Sequence, residues 1–157
     1  MENAATSRPI VRPPLLYLGC LIAGLILDRL LPLPFDPPAA MLVRWGIGAG
    51  LIVAGAAIMA GGVGNFARAH TPVPSTRPVR ALVTTGVHGW SRNPIYAGMF
   101  AIYAGIGLAA RSPWVLVLVL PLAVTMRHGV VAREEAYLER QFGDAYRSYK
   151  ARVRRWV

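Results

Sequence analysis

The chain has 157 residues, of which 55% are hydrophobic and only 15% charged, and its mean hydropathy is +0.45. A soluble domain of this length needs far more charge to cover its surface, so the excess apolar residues must face lipid. The net charge is +10, from 17 Lys plus Arg against 7 Asp plus Glu, with Lys150 the single lysine; in so apolar a chain this balance points to an anionic membrane surface and away from a nucleic-acid partner.

The first apolar run, from Leu15 to about Leu31, follows Arg8, Arg12 and Pro13-Pro14; it precedes further spans and has no convincing small-residue cleavage site, so it reads as a retained helix rather than a signal peptide. It closes at Asp28, Arg29 and the proline-rich turn Pro32 to Pro38. Cys20 within it is the one cysteine, which excludes an intrachain disulfide and reads as a small packing residue. The second run extends from about Ala40 to Phe66, with Gly46, Gly50, Ala54 and Gly62 at multiples of four, a spacing that predicts a small-residue packing face. Gly61-Gly62-Val63-Gly64 lies inside this run with no strand before it, which rules out a dinucleotide loop.

Arg68 to Asn93 contains Pro72, Pro74 and Pro78 and is too rich in proline for one helix. The third run spans Ile95 to Ala110, with Ala97, Ala101 and Gly105 at spacing four. After Arg111-Ser112-Pro113 the fourth begins at Trp114 and reaches about Val131, and Pro121 inside it predicts a kink or a free carbonyl. Crossing the hydrocarbon core takes about 20 apolar residues. The second and fourth runs meet that length, while the first and third are short and rely on tilt or flanking residues. In the tail, Leu138, Phe142, Tyr146, Tyr149 and Val153 form an amphipathic stripe, and Gly143-Asp144 marks the end of one helix and the start of another.

With four spans, both termini and the loop between the second and third helices share one side. That side carries all the basic residues except Arg29, Arg44 and Arg111, so the positive-inside rule puts both termini in the cytoplasm of a multi-pass protein of the cell (inner) membrane. The fold predicted is all-α: a polytopic membrane protein with about four transmembrane helices and a C-terminal cytoplasmic amphipathic helical cap. Residues 1–66 hold the first two helices, and residues 67–157 hold helices three and four with the cap, the two parts forming one integrated domain.

Two polar clusters meet the membrane on the same side. His88-Gly89-Trp90-Ser91-Arg92-Asn93-Pro94-Ile95-Tyr96 enters the third helix, and Arg133-Glu134-Glu135 leaves the fourth. A short turn joins these helices into an antiparallel hairpin, which makes the clusters neighbours. His70, His88 and His128 lack the spacing of a metal site, and Ser91 near His88 is too little for a nucleophile triad.

Leu82-Val83-Thr84-Thr85-Gly86 followed by Ser91-Arg92-Asn93-Pro94-Ile95-Tyr96-Ala97-Gly98 resembles the cofactor motif of the isoprenylcysteine carboxyl methyltransferase family. So does Arg133-Glu134-Glu135-Ala136-Tyr137-Leu138 with Phe142-Gly143, Tyr146, Tyr149 and Arg152-Val153. The resemblance covers roughly residues 66–157, and related membrane enzymes methylate phospholipid amines. It implies S-adenosylmethionine bound at the cytoplasmic ends of the last two spans and a lipophilic acceptor entering from the bilayer. It carries His88, Arg92, Asn93, Pro94, Tyr96, Gly98, Glu134, Glu135 and Tyr137 over as cofactor-binding residues, and Arg133 and Glu134 as catalytic ones. Glu134 or Glu135 suits the cofactor ammonium, Arg92 or Arg133 its carboxylate, and Tyr96, Trp90 or Tyr137 its adenine. Methyl transfer from sulfur asks for alignment and desolvation and needs no metal.

The chain departs from that pattern in three places. Asn93 stands where many members have His before the proline, Val87-His88 where many have Pro-Tyr, and Arg152-Val153-Arg154-Arg155 where prenylcysteine enzymes end in Arg-Val-Pro. The acceptor implied is a carboxylate of isoprenylcysteine type, with a phospholipid amine or a thiol as the alternative. A four-helix multidrug-type transporter needs an acid deep in a span, for which Asp28 is the single candidate; a membrane scaffold needs no cofactor.

Overall fold

The computed structural model describes residues 9–34, 41–73 and 77–156. Arg8, the second half of the proline-rich turn and Pro74 lie outside the described residues. The rest forms an all-helical, polytopic membrane protein with no strand among the described residues. An apolar chain in lipid must satisfy every backbone N–H and C=O internally, and helices do so within each segment.

Helix α1 is Pro13–Leu30, α2 Met41–Arg68, α3 Pro94–Ala109 and α4 Pro113–Thr125. α1, α3 and α4 each start on proline, whose fixed φ and missing N–H suit a first helical turn. The fourth helix does not stop near Val131 as the sequence predicted. It continues through a π-helical stretch, Met126–Val131, into α5, Ala132–Phe142. The whole Pro113–Phe142 helix, α1 and α2 are each long and apolar enough to cross a membrane; α3, of 16 residues, is shorter. Pro121 lies inside α4, and Thr125 Oγ1 donates to its carbonyl at 2.8 Å.

The packing face of α2 differs from the predicted one. A side chain at Gly46 or Gly50 would meet nothing within 4 Å of its Cβ, and Ala54 is exposed. The buried glycines of α2 are Gly48, Gly55 and Gly62, seven residues apart, set against Gly105, Gly98 and Ile95 of α3 respectively. A Cβ on Gly55 would sit 2.5 Å from the Gly98 carbonyl oxygen, and one on Gly98 equally close to that of Gly55. Each step of four along a helix drifts by about 40° and each step of seven by only about 20°, so a long contact selects the seven-residue repeat. Of the third-helix positions, Gly105 and Ala101 do face α2.

Both ends of the bundle are tied. At one end Asp28 of α1 accepts from Ser112 Oγ, which also caps α4 by accepting from Val115 N at 3.1 Å, and Trp114 Nε1 donates to Leu31 O at 2.7 Å. Asp28 is thus engaged at a helix start. At the other end Ile10 N donates to the Gly129 carbonyl of the π-helical stretch. Gly143, at φ +52, breaks α5 from α6, Asp144–Arg152. Tyr146 and Tyr149 of α6 are buried, and the chain then returns as a strap across the entry of α3.

Candidate functional site

The strap is held by backbone. Arg92 N donates to Arg154 O at 2.9 Å, and Asn93 Nδ2 donates to Arg155 O at 2.9 Å. Asn93 precedes Pro94 but does not cap α3 with its side chain; its amide secures the strap instead. The ring of Trp156 meets Phe100 edge-on at 5.9 Å, which pins the strap to α3 one turn beyond Tyr96.

The two adjacent acids do different things. Glu135, 6% exposed, takes Arg155 in a two-pronged ion pair, Nε to Oε1 at 3.0 Å and Nη2 to Oε2 at 2.6 Å. Arg92 Nη1 lies 2.9 Å from the same Oε1. That approach is an ion-pair contact off the hydrogen-bond line, so Arg92 Nη1 and Nε are buried without a hydrogen-bond partner among the described residues. Glu134, 4% exposed, points elsewhere. Its Oε1 accepts from Tyr96 Oη at 2.7 Å, and no basic side chain is paired with it among the described residues. Neighbours on a helix project about 100° apart, which is how one acid meets the strap while the other meets a cavity.

That cavity is a cleft of about 470 Å³, its open mouth included. Its polar lining is His88, Arg92, Asn93, Glu134, Tyr146 and Tyr149, and its apolar wall is Phe66, Val79, Leu82, Val83 and Leu138. A smaller recess of about 270 Å³ shares Phe66, His88, Arg92, Asn93 and Glu134 and adds Pro94 and Tyr96. The structure therefore brings the Asn-Pro entry of α3 and the first of the twin acids to one cavity. His88, 3% exposed, is held on one side by Asn65 Nδ2, 3.3 Å from its Nδ1, and by the edge of Phe66. Burial lowers its pKa from 6.5 to about 4, so the ring is neutral.

The remaining residues suggested by sequence lie outside the cleft lining. Gly98 faces Gly55 of α2, where it serves helix contact. Tyr137 is buried, and its hydroxyl accepts from Val79 N at 3.1 Å, which holds the loop that roofs the cleft. Trp90 is half exposed. Arg133 is on the exposed face of α5. Sequence reasoning includes Leu82-Val83 in the motif without giving the pair a role, and misses Asn65 and Phe66, which carry no chemical signature and stand at the edge of the stretch that the resemblance covers.

The family model described as phospholipid methyltransferase matches residues 43–145. A curated protein of Haemophilus influenzae (strain ATCC 51907 / DSM 11121 / KW20 / Rd), described as uncharacterized, is 48% identical over 44 residues, which cover 28% of this chain and 67% of that protein. No solved structure matches.

Proposed function

We propose that this chain, which belongs to the phospholipid methyltransferase family of isoprenylcysteine carboxyl methyltransferase-like membrane proteins, transfers a methyl group from S-adenosylmethionine to a lipophilic acceptor at the cytoplasmic membrane face. The observation that carries this reading is the cleft that Arg92, Asn93 and Glu134 line together at the membrane end of α3 and the fourth helix. The charges there fit the donor: Glu134 offers a buried carboxylate without an ion-pair partner among the described residues, and Arg92 offers buried N–H groups without hydrogen-bond partners among them. When bound, S-adenosylmethionine would supply an electrophilic sulfonium methyl group, whose carbon would bond to the acceptor atom in line as the carbon–sulfur bond breaks and its electron pair stays on sulfur.

The chain's own groups then have separable tasks. Glu134, steered by Tyr96 Oη, receives the ammonium of the donor's amino-acid tail. Arg92 receives its carboxylate. Phe66, Leu82, Val83 and Leu138 supply an apolar wall for adenosine. The strap and α6 keep water from the reacting atoms, and proximity in such a dry site contributes several kcal/mol to a displacement of this type. Glu135 holds the strap through Arg155.

A carboxylate acceptor of isoprenylcysteine type needs no base. The family's description favours a second reading, an amine acceptor on a phospholipid, which must lose a proton during the reaction. The distribution of arginine supports a multi-pass protein of the inner membrane with both termini in the cytoplasm.

Calorimetry of the purified chain with S-adenosylhomocysteine tests the site. The unmodified chain is expected to bind, and Glu134→Gln to bind at least about tenfold more weakly, the scale of a charged hydrogen bond. Unchanged affinity in that variant removes Glu134 from the role. Transfer of a radiolabelled methyl group into base-labile lipid identifies an ester, and transfer into base-stable lipid identifies an amine product.

A further inference from the structure

The proton on His88 is set from outside the cleft. Asn65 of α2 places Nδ2 at 2.7 Å from the Thr85 carbonyl oxygen and the same atom at 3.3 Å from His88 Nδ1. A carbonyl oxygen only accepts, so the Asn65 atom beside it is the NH2 group. Its other hydrogen faces His88 Nδ1, which must then accept, and the ring proton of a neutral His88 sits on Nε2. Arg68 Nη1 donates to Asn65 Oδ1 at 3.4 Å and holds the amide in that sense. Gly86 makes the space, because at φ +58 a Cβ there would lie 2.7 Å from Asn65 Nδ2. His88 is further fixed by Tyr149 Oη, which donates to its carbonyl at 2.7 Å.

We infer that Asn65 is a positioning residue that holds His88 as its Nε2–H tautomer, so that His88 and Arg92 form a carboxylate-receiving subsite on the cleft. The subsite rests on the reading of the cleft as a methyl-donor site. Both side chains line that cleft. The Arg92 guanidinium is nine-tenths buried; its Nη1 is ion-paired with Glu135 Oε1 at 2.9 Å, yet neither Nε nor Nη1 makes a hydrogen bond among the described residues. A guanidinium and an imidazole N–H both donate, and a carboxylate is an acceptor with two oxygens to share between them. The opposite tautomer turns a lone pair toward the same anion and repels it. The Asn93 amide is already engaged by the strap, which leaves the imidazole and the guanidinium as the donors for this anion. Two carboxylates are chemically eligible, that of the cofactor's amino-acid tail and that of an anionic acceptor.

The test uses the full chain in detergent with nitrogen-15 labelled histidine. The His88 ring signals are identified by their loss in His88→Gln. At neutral pH the unmodified chain is expected to show a protonated Nε2 and an unprotonated Nδ1, and Asn65→Asp, which presents only acceptors, to move the proton to Nδ1. An Nδ1–H ring in the unmodified chain, or a tautomer that ignores Asn65→Asp, overturns the inference whether or not the cofactor binds. Calorimetry then locates the anion. If the subsite takes the cofactor's carboxylate, Asn65→Asp and His88→Phe weaken S-adenosylhomocysteine about tenfold, His88→Gln, which keeps an N–H donor, restores most of it, and 5′-methylthioadenosine, which lacks the amino-acid tail, is unaffected. If it takes the acceptor's carboxylate, the same variants weaken oleate and spare S-adenosylhomocysteine. Variants that alter neither affinity refute the subsite.

Discussion

Glu134 and Glu135 are chemically identical neighbours, and their surroundings give them different tasks. Two arginines gather on Glu135, while Glu134 keeps a tyrosine hydroxyl and a cavity. Replacing Arg155 by Ala leaves a buried carboxylate with only the off-line Arg92 beside it. The expected cost is about 1–3 kcal/mol, less than for a fully buried pair because Arg155 is partly exposed, read as a lowered thermal midpoint in detergent. If Arg155→Ala instead tightens S-adenosylhomocysteine binding, Glu135 is the ammonium's partner and its role as the strap's anchor falls. His88 gives a second residue-level test. Its folded pKa, about 4, lies below the ordinary 6.5. Between those values the unfolded chain binds a proton that the folded chain refuses, so stability from this residue is complete above about pH 6.5 and is lost as the pH falls toward 4. Thermal midpoints across pH 4–7 should decline toward acid, and that decline should flatten in His88→Gln; an equal slope in both chains shows that His88 is not its source.

At the scale of elements, the α2–α3 contact sets the geometry of the site, because α2 contributes Asn65 and Phe66 and α3 contributes Pro94 and Tyr96. The seven-residue glycine ladder lets the two backbones approach until carbonyl oxygens replace side chains as neighbours. Gly55→Leu cannot be housed without separating the helices and is expected to cost at least about 2 kcal/mol, as overpacking in a tight contact does. Gly50→Ala, which meets nothing within 4 Å, is expected to be neutral or slightly stabilising. Equal thermal midpoints for these two variants contradict the ladder. The π-helical stretch Met126–Val131 acts at the same scale. Its wider turn shifts the register of α5 relative to α4 and so helps decide where Glu134 and Glu135 point.

The whole molecule is a lipid-facing bundle whose polar content is concentrated at one end, between the loop, α5, α6 and the strap. Much of this is legible in the sequence. Low charge and long apolar runs specify the solvent, and a solvent without hydrogen bonds specifies helices. Proline marks the helix starts, and Gly143 the break before α6, since both act through the local backbone. The clustering of Arg92, Asn93 and Glu134 follows from an antiparallel hairpin with a short turn. What the sequence leaves open is rotation about each helix axis. The glycine ladder follows a repeat of seven instead of the four that spacing alone suggests, and Gly98 and Tyr137, singled out in the sequence by resemblance, pack against α2 and the loop. The division of labour between two adjacent acids, and the tautomer lock on His88 from a residue 23 positions away, have no local signature. They were decided only when α2, the strap and the π-helical turn were packed together, because about 100° of rotation is the whole difference between facing an arginine and facing a cavity.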